Sequence, residues 1–361
     1  MLTAVVLLLA LSTGFMRAQH VIDLSSFEQC RDCELEILLD LRLGDPDLPG
    51  GIESEYAHAV FDQAHGGYAV FRRMGTHVQL FDSLGAFQGV LSREGGGPGE
   101  LRGLTAVAFA DGNIVMVDVG GPKIIVMSRD GGLIAENRID LPAGDFQVIS
   151  ADTAVIGSMD RRPDLVGYPL HLVSLSDGEV LENFGSLGGE WSAAEPFATL
   201  ILIGKPAWDR SVWRGYYGRL RLEEWTLDGS LERVITGDFD WFPPTVYNQE
   251  GPPSSLRAFA TDRDERLWLL TRVPDENWRR VHGGRLGPET LITQEQQDRY
   301  WDARLDVFDL RTERHLGTVR WDGTKVFLTS RRGTVLVNLV EYDEEMVPRV
   351  ALYRLAIKAN P

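Results

Sequence analysis

Ala106-Val-Ala-Phe-Ala, Asp111-Gly-Asn, Ile114-Val-Met-Val-Asp, Gly120-Gly-Pro, Lys123-Ile-Ile-Val-Met-Ser, Arg129-Asp-Gly-Gly and Leu133-Ile-Ala-Glu-Asn follow one another along the chain. Four short β-rich runs separated by Gly/Asp turns make one antiparallel sheet. The last turn of this unit, Met127-Ser-Arg-Asp-Gly131, has counterparts in Phe81-Asp-Ser-Leu-Gly85, Leu175-Ser-Asp-Gly178, Thr226-Leu-Asp-Gly229 and Phe308-Asp-Leu-Arg-Thr312. The four glycines stand roughly 50 residues apart, the length of a four-stranded blade with its loops, so the pattern predicts an all-β, six-bladed β-propeller.

Working outward, the last unit supplies only three strands: Lys325-Val-Phe-Leu-Thr, Thr334-Val-Leu-Val-Asn-Leu-Val and Arg349-Val-Ala-Leu-Tyr-Arg-Leu. Glu34-Leu-Glu-Ile-Leu-Leu-Asp-Leu-Arg-Leu precedes the first complete blade and alternates like a strand. Used as the outer strand of the last blade, it closes the ring at six and removes an exposed edge. The expected propeller thus spans residues 34–361. Residues 273–303, rich in Arg, Gln and Glu, form an insertion rather than a seventh blade, with a helix expected around 293–304.

Residues 1–18 carry the apolar run Ala4-Val-Val-Leu-Leu-Leu-Ala-Leu11, too short to span a bilayer, and predict a signal peptide cleaved after Gly14 or Ala18. The expected location is periplasmic or secreted. The formal net charge is −17. A surface this acidic repels phosphate backbones and anionic lipid, which argues against nucleic-acid binding. Segment 19–33 contains the only two cysteines, in Cys30-Arg-Asp-Cys33. Export favours a small disulfide. No histidine follows Cys33, so the c-type haem signature fails, and a zinc site would need two further ligands.

The stretch Ser92-Arg-Glu-Gly-Gly-Gly-Pro-Gly-Glu-Leu101, followed by Gly103-Leu-Thr-Ala-Val-Ala-Phe-Ala-Asp-Gly-Asn-Ile-Val-Met-Val-Asp118, resembles the blade linker and first two strands of bacterial exported six-bladed β-propellers related to NHL-repeat proteins. Asp262-Arg-Asp-Glu-Arg-Leu-Trp-Leu-Leu resembles the same first turn. The resemblance implies fold and export and leaves chemistry unassigned. Some six-bladed relatives are lactonases that hold a metal with Glu, Asp and Asn at inner strand ends. Their likeness implies calcium at Asp118, Asp160 and Asn338, and a metal-dependent hydrolase or lyase at the channel mouth as the alternative function.

In a four-stranded blade the first-to-second and third-to-fourth turns share one face, and the remaining loops and linkers share the other. The first group is short throughout. The second holds 159–169, 185–197, 208–218, 238–256 and 273–304, so the functional site belongs on that loop-rich face, over the central channel. All nine Trp residues fall after residue 190. Trp208, Trp213, Tyr216, Tyr217, Trp241 and Trp278 are candidates to bind a small molecule or an exported protein, and Arg279, Arg280 and Arg285 to engage a carboxylate. The competing reading of the same aromatics is packing between blades. A run such as Gly95-Gly-Gly-Pro-Gly99 lacks the Lys-Ser/Thr of a phosphate loop, and no HExxH or GxSxG motif occurs. The favoured expectation is a non-catalytic exported binding module with no cofactor.

Overall fold

The computed structural model describes residues 20–44, 50–52, 56–141, 144–158, 167–185, 201–204, 211–244, 251–278, 294–342, 344 and 346–359. Six sheets, each with four antiparallel strands, surround a channel lined by the first strand of each. Blades 1 to 5 cover 57–90, 104–138, 146–184, 201–236 and 255–321, and each is built from four consecutive strands. Blade 6 takes Val326–Arg331, Thr334–Tyr342 and Pro348–Ala359 from the C-terminal part of the chain and its outer strand, Cys33–Leu43, from the N-terminal part.

The repeated turn has a physical basis. Gly85, Gly131, Gly178 and Gly229 adopt φ of 87°, 88°, 79° and 80°. Each closes a third-to-fourth-strand hairpin that carries a register shift, at Leu80/Phe81, Val126/Met127, Leu172/Val173 and Glu224/Trp225. A short loop ending in a left-handed residue beside a bulge preserves the right-handed strand twist, and glycine takes that conformation without steric cost. In blade 5 the shift at Val307/Phe308 recurs, with Glu313 at φ 53° in place of glycine.

The apolar core is divided among the blade interfaces. Ala69, Leu80, Val107 and Ile125 fill the space between blades 1 and 2, Val117, Ile124, Ala154 and Val173 that between blades 2 and 3, and four similar clusters complete the circle. Strands buried on both faces have no solvent side to mark with polar residues, which explains runs such as Ile114-Val-Met-Val and Lys123-Ile-Ile-Val.

The sequence did not reveal the path of the N-terminal segment before its closing strand. His20–Asp23 adds to the outer strand of blade 4 and Glu28–Gln29 to that of blade 5, both in parallel. One stretch therefore crosses three blades, with a Cys30–Cys33 disulfide between its second and third attachments. Cys30 is buried in the core between blades 5 and 6.

Two boundaries differ from expectation. The helix covers Gln294–Tyr300 only, because Trp301–Asp309 pairs from Pro274↔Trp301 to Arg266↔Asp309 as the third strand of blade 5. The insertion is correspondingly the connection between Pro274 and Trp301, of which residues 279–293 lie outside the described residues. Residues 208–218 are not one loop on that face: Ser211–Tyr216 is the second strand of blade 4, buried along its length. Arg214 disguised it, since a charged residue inside a strand reads as surface until its buried partner, Glu223, is known.

Candidate functional site

The central channel opens on the loop-rich face into a cavity of about 590 Å³. Two backbone bulges shape it. The first strand of blade 5 pairs Leu256 with Thr271 and Ala258 with Leu270, leaving Arg257 as the extra residue, and the first strand of blade 2 leaves Thr105 extra in the same way. A bulge re-aims the side chain it releases. Arg257 and Thr105 accordingly line the cavity from opposite sides of a six-blade ring.

Arg72 and Arg73, where blade 1 turns from its second strand, add two more guanidinium groups, and both are exposed. Asp145 is the one carboxylate among the described lining residues, and its Oδ2 accepts the Ile203 N–H at 3.3 Å. Among its described lining residues, a chain of net charge −17 thus gathers cations around its channel. Such a mouth concentrates anions against the field of the whole molecule.

Behind Arg257 lies Arg272, at 8% exposure. Arg272 donates through Nη2 to the Tyr217 hydroxyl and through Nε to Ser255 Oγ at 3.2 Å, and its guanidinium stacks 4.1 Å from the Trp301 ring. No carboxylate comes within ion-pair distance of it among the described residues. Burial pulls its pKa down to about 10. Tyr217 follows the second strand of blade 4 and is tied to blade 5 by the Leu256 N–H on its carbonyl at 2.8 Å. Burial raises the Tyr217 pKa, but Arg272, Ser255 and Arg257 together outweigh it and hold the phenol below its ordinary value. Burying a cation without an anion is costly, and a phenol is a weak substitute for a carboxylate.

Of the aromatics singled out in the sequence, Tyr217 lines this cavity. Trp213 and Tyr216 are each 2% exposed: Trp213 packs between blades 4 and 5, and the Tyr216 hydroxyl meets Arg214 and Glu223. Trp241 and Trp278 border a second recess, of about 380 Å³, beside the blade 4 to 5 linker. Phe239 stacks on Trp241 and the Arg304 guanidinium lies 4.0 Å from its ring, so its faces are covered. Trp208, Asp160, Arg279, Arg280 and Arg285 lie outside the described residues.

The remaining oxygen donors stand apart. Asp118, fully buried, accepts the N–H groups of Arg102, Gly103 and Gly120, which fixes the linker into blade 2. Asn338 sits mid-strand in blade 6, donating to Thr329 Oγ1 at 2.7 Å. Among the described residues no group of three or more His, Cys, Asp or Glu side chains converges to hold a metal ion.

Sequence reasoning missed Arg72, Arg73, Arg257 and Arg272. A signal existed for Arg272, an arginine inside the apolar strand Arg266-Leu-Trp-Leu-Leu-Thr-Arg-Val, where burial requires a compensating partner. None existed for Arg257, because a bulge depends on register with a neighbouring strand.

No family model matches the sequence, and no curated protein matches it either. Among solved structures the chain is similar to a member of the DUF4221 family from Bacteroides vulgatus, with 12% identity and a TM-score of 0.60 over 90% of this chain and 99% of that one. It is also similar to a Bacteroides fragilis protein named as exported, with 10% identity and a TM-score of 0.57 over 94% and 99%. A looser likeness reaches the calcium-binding protein regucalcin from Agrobacterium tumefaciens, at 14% identity and a TM-score of 0.45 over 95% and 98%. No helix among the described residues is long and apolar enough to cross a membrane. At these identities the likeness establishes the six-bladed β-propeller fold and nothing beyond it.

Proposed function

We propose that this protein is an exported propeller that binds a small anion-bearing ligand in the mouth of its central channel, on the loop-rich face, without performing chemistry on it. The apolar leader at residues 4–11 supports export. The observation that carries the binding reading is Arg272, buried beside Arg257 and Tyr217 with no carboxylate within ion-pair distance among the described residues. An anionic ligand seated against Arg257 and Tyr217 supplies the missing charge, and Arg72 and Arg73 draw it in from solvent. The rigid ring presents these groups already in place, so little ordering entropy opposes binding.

Isothermal titration of the purified protein with benzoate and with inorganic phosphate tests this. Saturable binding is expected that weakens as salt rises and falls about tenfold or more in Arg257→Ala, one charge-assisted contact being worth roughly 1.5–3 kcal/mol. Absence of binding by either anion at low ionic strength overturns the reading.

A further inference from the structure

The cavity is not uniformly cationic, and its asymmetry says more about the ligand. Arg257 and Tyr217 stand on the side of blades 4 and 5, whereas Asp145 and Gln147 come from blade 3. Gln147 Oε1 is buried and has no hydrogen-bond partner. An amide oxygen shut away from water without a donor is destabilised, so this position calls for an N–H or O–H from outside the protein. The Asp145 carboxylate, which accepts the Ile203 N–H, lines the same wall two residues away, and a charge-assisted hydrogen bond to it favours a donor that is itself cationic.

The other wall is apolar. The His58 ring lies 3.8 Å from that of Phe327 and stacks on Phe71 at 5.2 Å, and Val60, Phe109 and Phe146 extend this surface along the channel. Planar or branched hydrocarbon is buried favourably against such an apolar wall.

Three surfaces of different chemistry therefore face one space. Resting on the anion-binding reading above, we infer that the ligand is a small zwitterion of amino-acid type, its carboxylate at Arg257 and Tyr217, its ammonium at Gln147 Oε1 and Asp145, and an aromatic or bulky apolar side chain against His58, Phe71 and Phe327. A site that hydrogen-bonds a ligand's donor rejects analogues lacking it, because its own buried group is then left unpaired.

Phenylalanine, 3-phenyllactate and 3-phenylpropanoate share a ring and a carboxylate and differ only in carrying an ammonium, a hydroxyl or neither. Titration of each into the wild-type protein is expected to give affinities in that order, with phenylalanine about tenfold or more above 3-phenylpropanoate, the ratio for one lost bond of roughly 1.4 kcal/mol. In Gln147→Leu the advantage of phenylalanine should shrink while 3-phenylpropanoate binds as before, and an unchanged far-ultraviolet spectrum and melt would show the variant folded. Equal affinity for all three acids overturns the zwitterion inference and leaves the anion site standing. Binding of none of them, with benzoate and phosphate also silent, removes both.

Discussion

Arg214 and Arg272 lie on the second strands of adjacent blades, both buried, in opposite electrostatic surroundings. Arg214 is fully enclosed and meets the Glu223 carboxylate, the Tyr216 hydroxyl at 2.5 Å and the Gly185 carbonyl. Glu223 in turn accepts from Arg221 Nε at 2.7 Å and Trp225 Nε1 at 3.0 Å. Arg272 has a phenol, a serine hydroxyl and an indole face. The first arrangement is electrically closed and holds a blade together, whereas the second has no carboxylate among the described residues and lies behind Tyr217, which lines the channel cavity. Buried charge alone does not mark a candidate site; what separates Arg272 from Arg214 is that no carboxylate among the described residues pairs with it and that its partner Tyr217 borders a cavity.

The closed network around Arg214 should be indispensable to the fold. Glu223→Gln leaves Arg214 buried without an anion and should lower stability by about 3–5 kcal/mol, the usual result of removing one member of a buried pair. Thermal melts followed by circular dichroism measure it. A loss below about 1 kcal/mol, the range of exposed ion pairs, would mean that water reaches Arg214.

Arg272→Met should behave in the opposite way. The thioether side chain keeps contact with Trp301 and removes a poorly compensated charge, so ligand-free stability is expected to stay level or rise by about 1 kcal/mol. Affinity for benzoate should fall about tenfold or more, because Tyr217 loses the group that orients it. A stability loss matching that of Glu223→Gln would show Arg272 to be a structural cation like Arg214 and would erase the distinction.

The two arginines also show what the chain discloses by itself. Blade count, ring closure by Glu34-Leu-Glu-Ile-Leu-Leu-Asp-Leu-Arg-Leu and the loop-rich face are legible because turn chemistry and alternation are local. The parallel additions of His20–Asp23 and Glu28–Gln29 are not, since strands this short carry no periodic signal. Trp213 and Tyr216 belong to blade packing, and the ambiguity between packing and binding resolves only when burial is known. Tyr217, one residue further on, is tied to the neighbouring blade and lines the channel cavity. Adjacent aromatics with different fates cannot be separated by residue type.

The smallest expected effect concerns pH. Tyr217 faces Arg272, Arg257 and Ser255, and its phenol titrates below the ordinary value. In the ligand-free protein a depressed phenol contributes stability that is complete above the unfolded value near 10 and is lost as pH falls through the folded one. Ligand binding has the reverse sign. A neutral phenol can donate to a bound carboxylate, whereas a phenolate repels it and satisfies Arg272 internally, so the affinity for 3-phenylpropanoate should decline severalfold as pH rises from neutrality toward 10. Tyr217→Phe removes both the donor and the competing anion, which should lower affinity slightly at neutral pH and flatten the profile. A profile equally steep in Tyr217→Phe would place the titrating group elsewhere, and Arg272 would then have to be neutralised by ligand alone rather than by the phenol it touches.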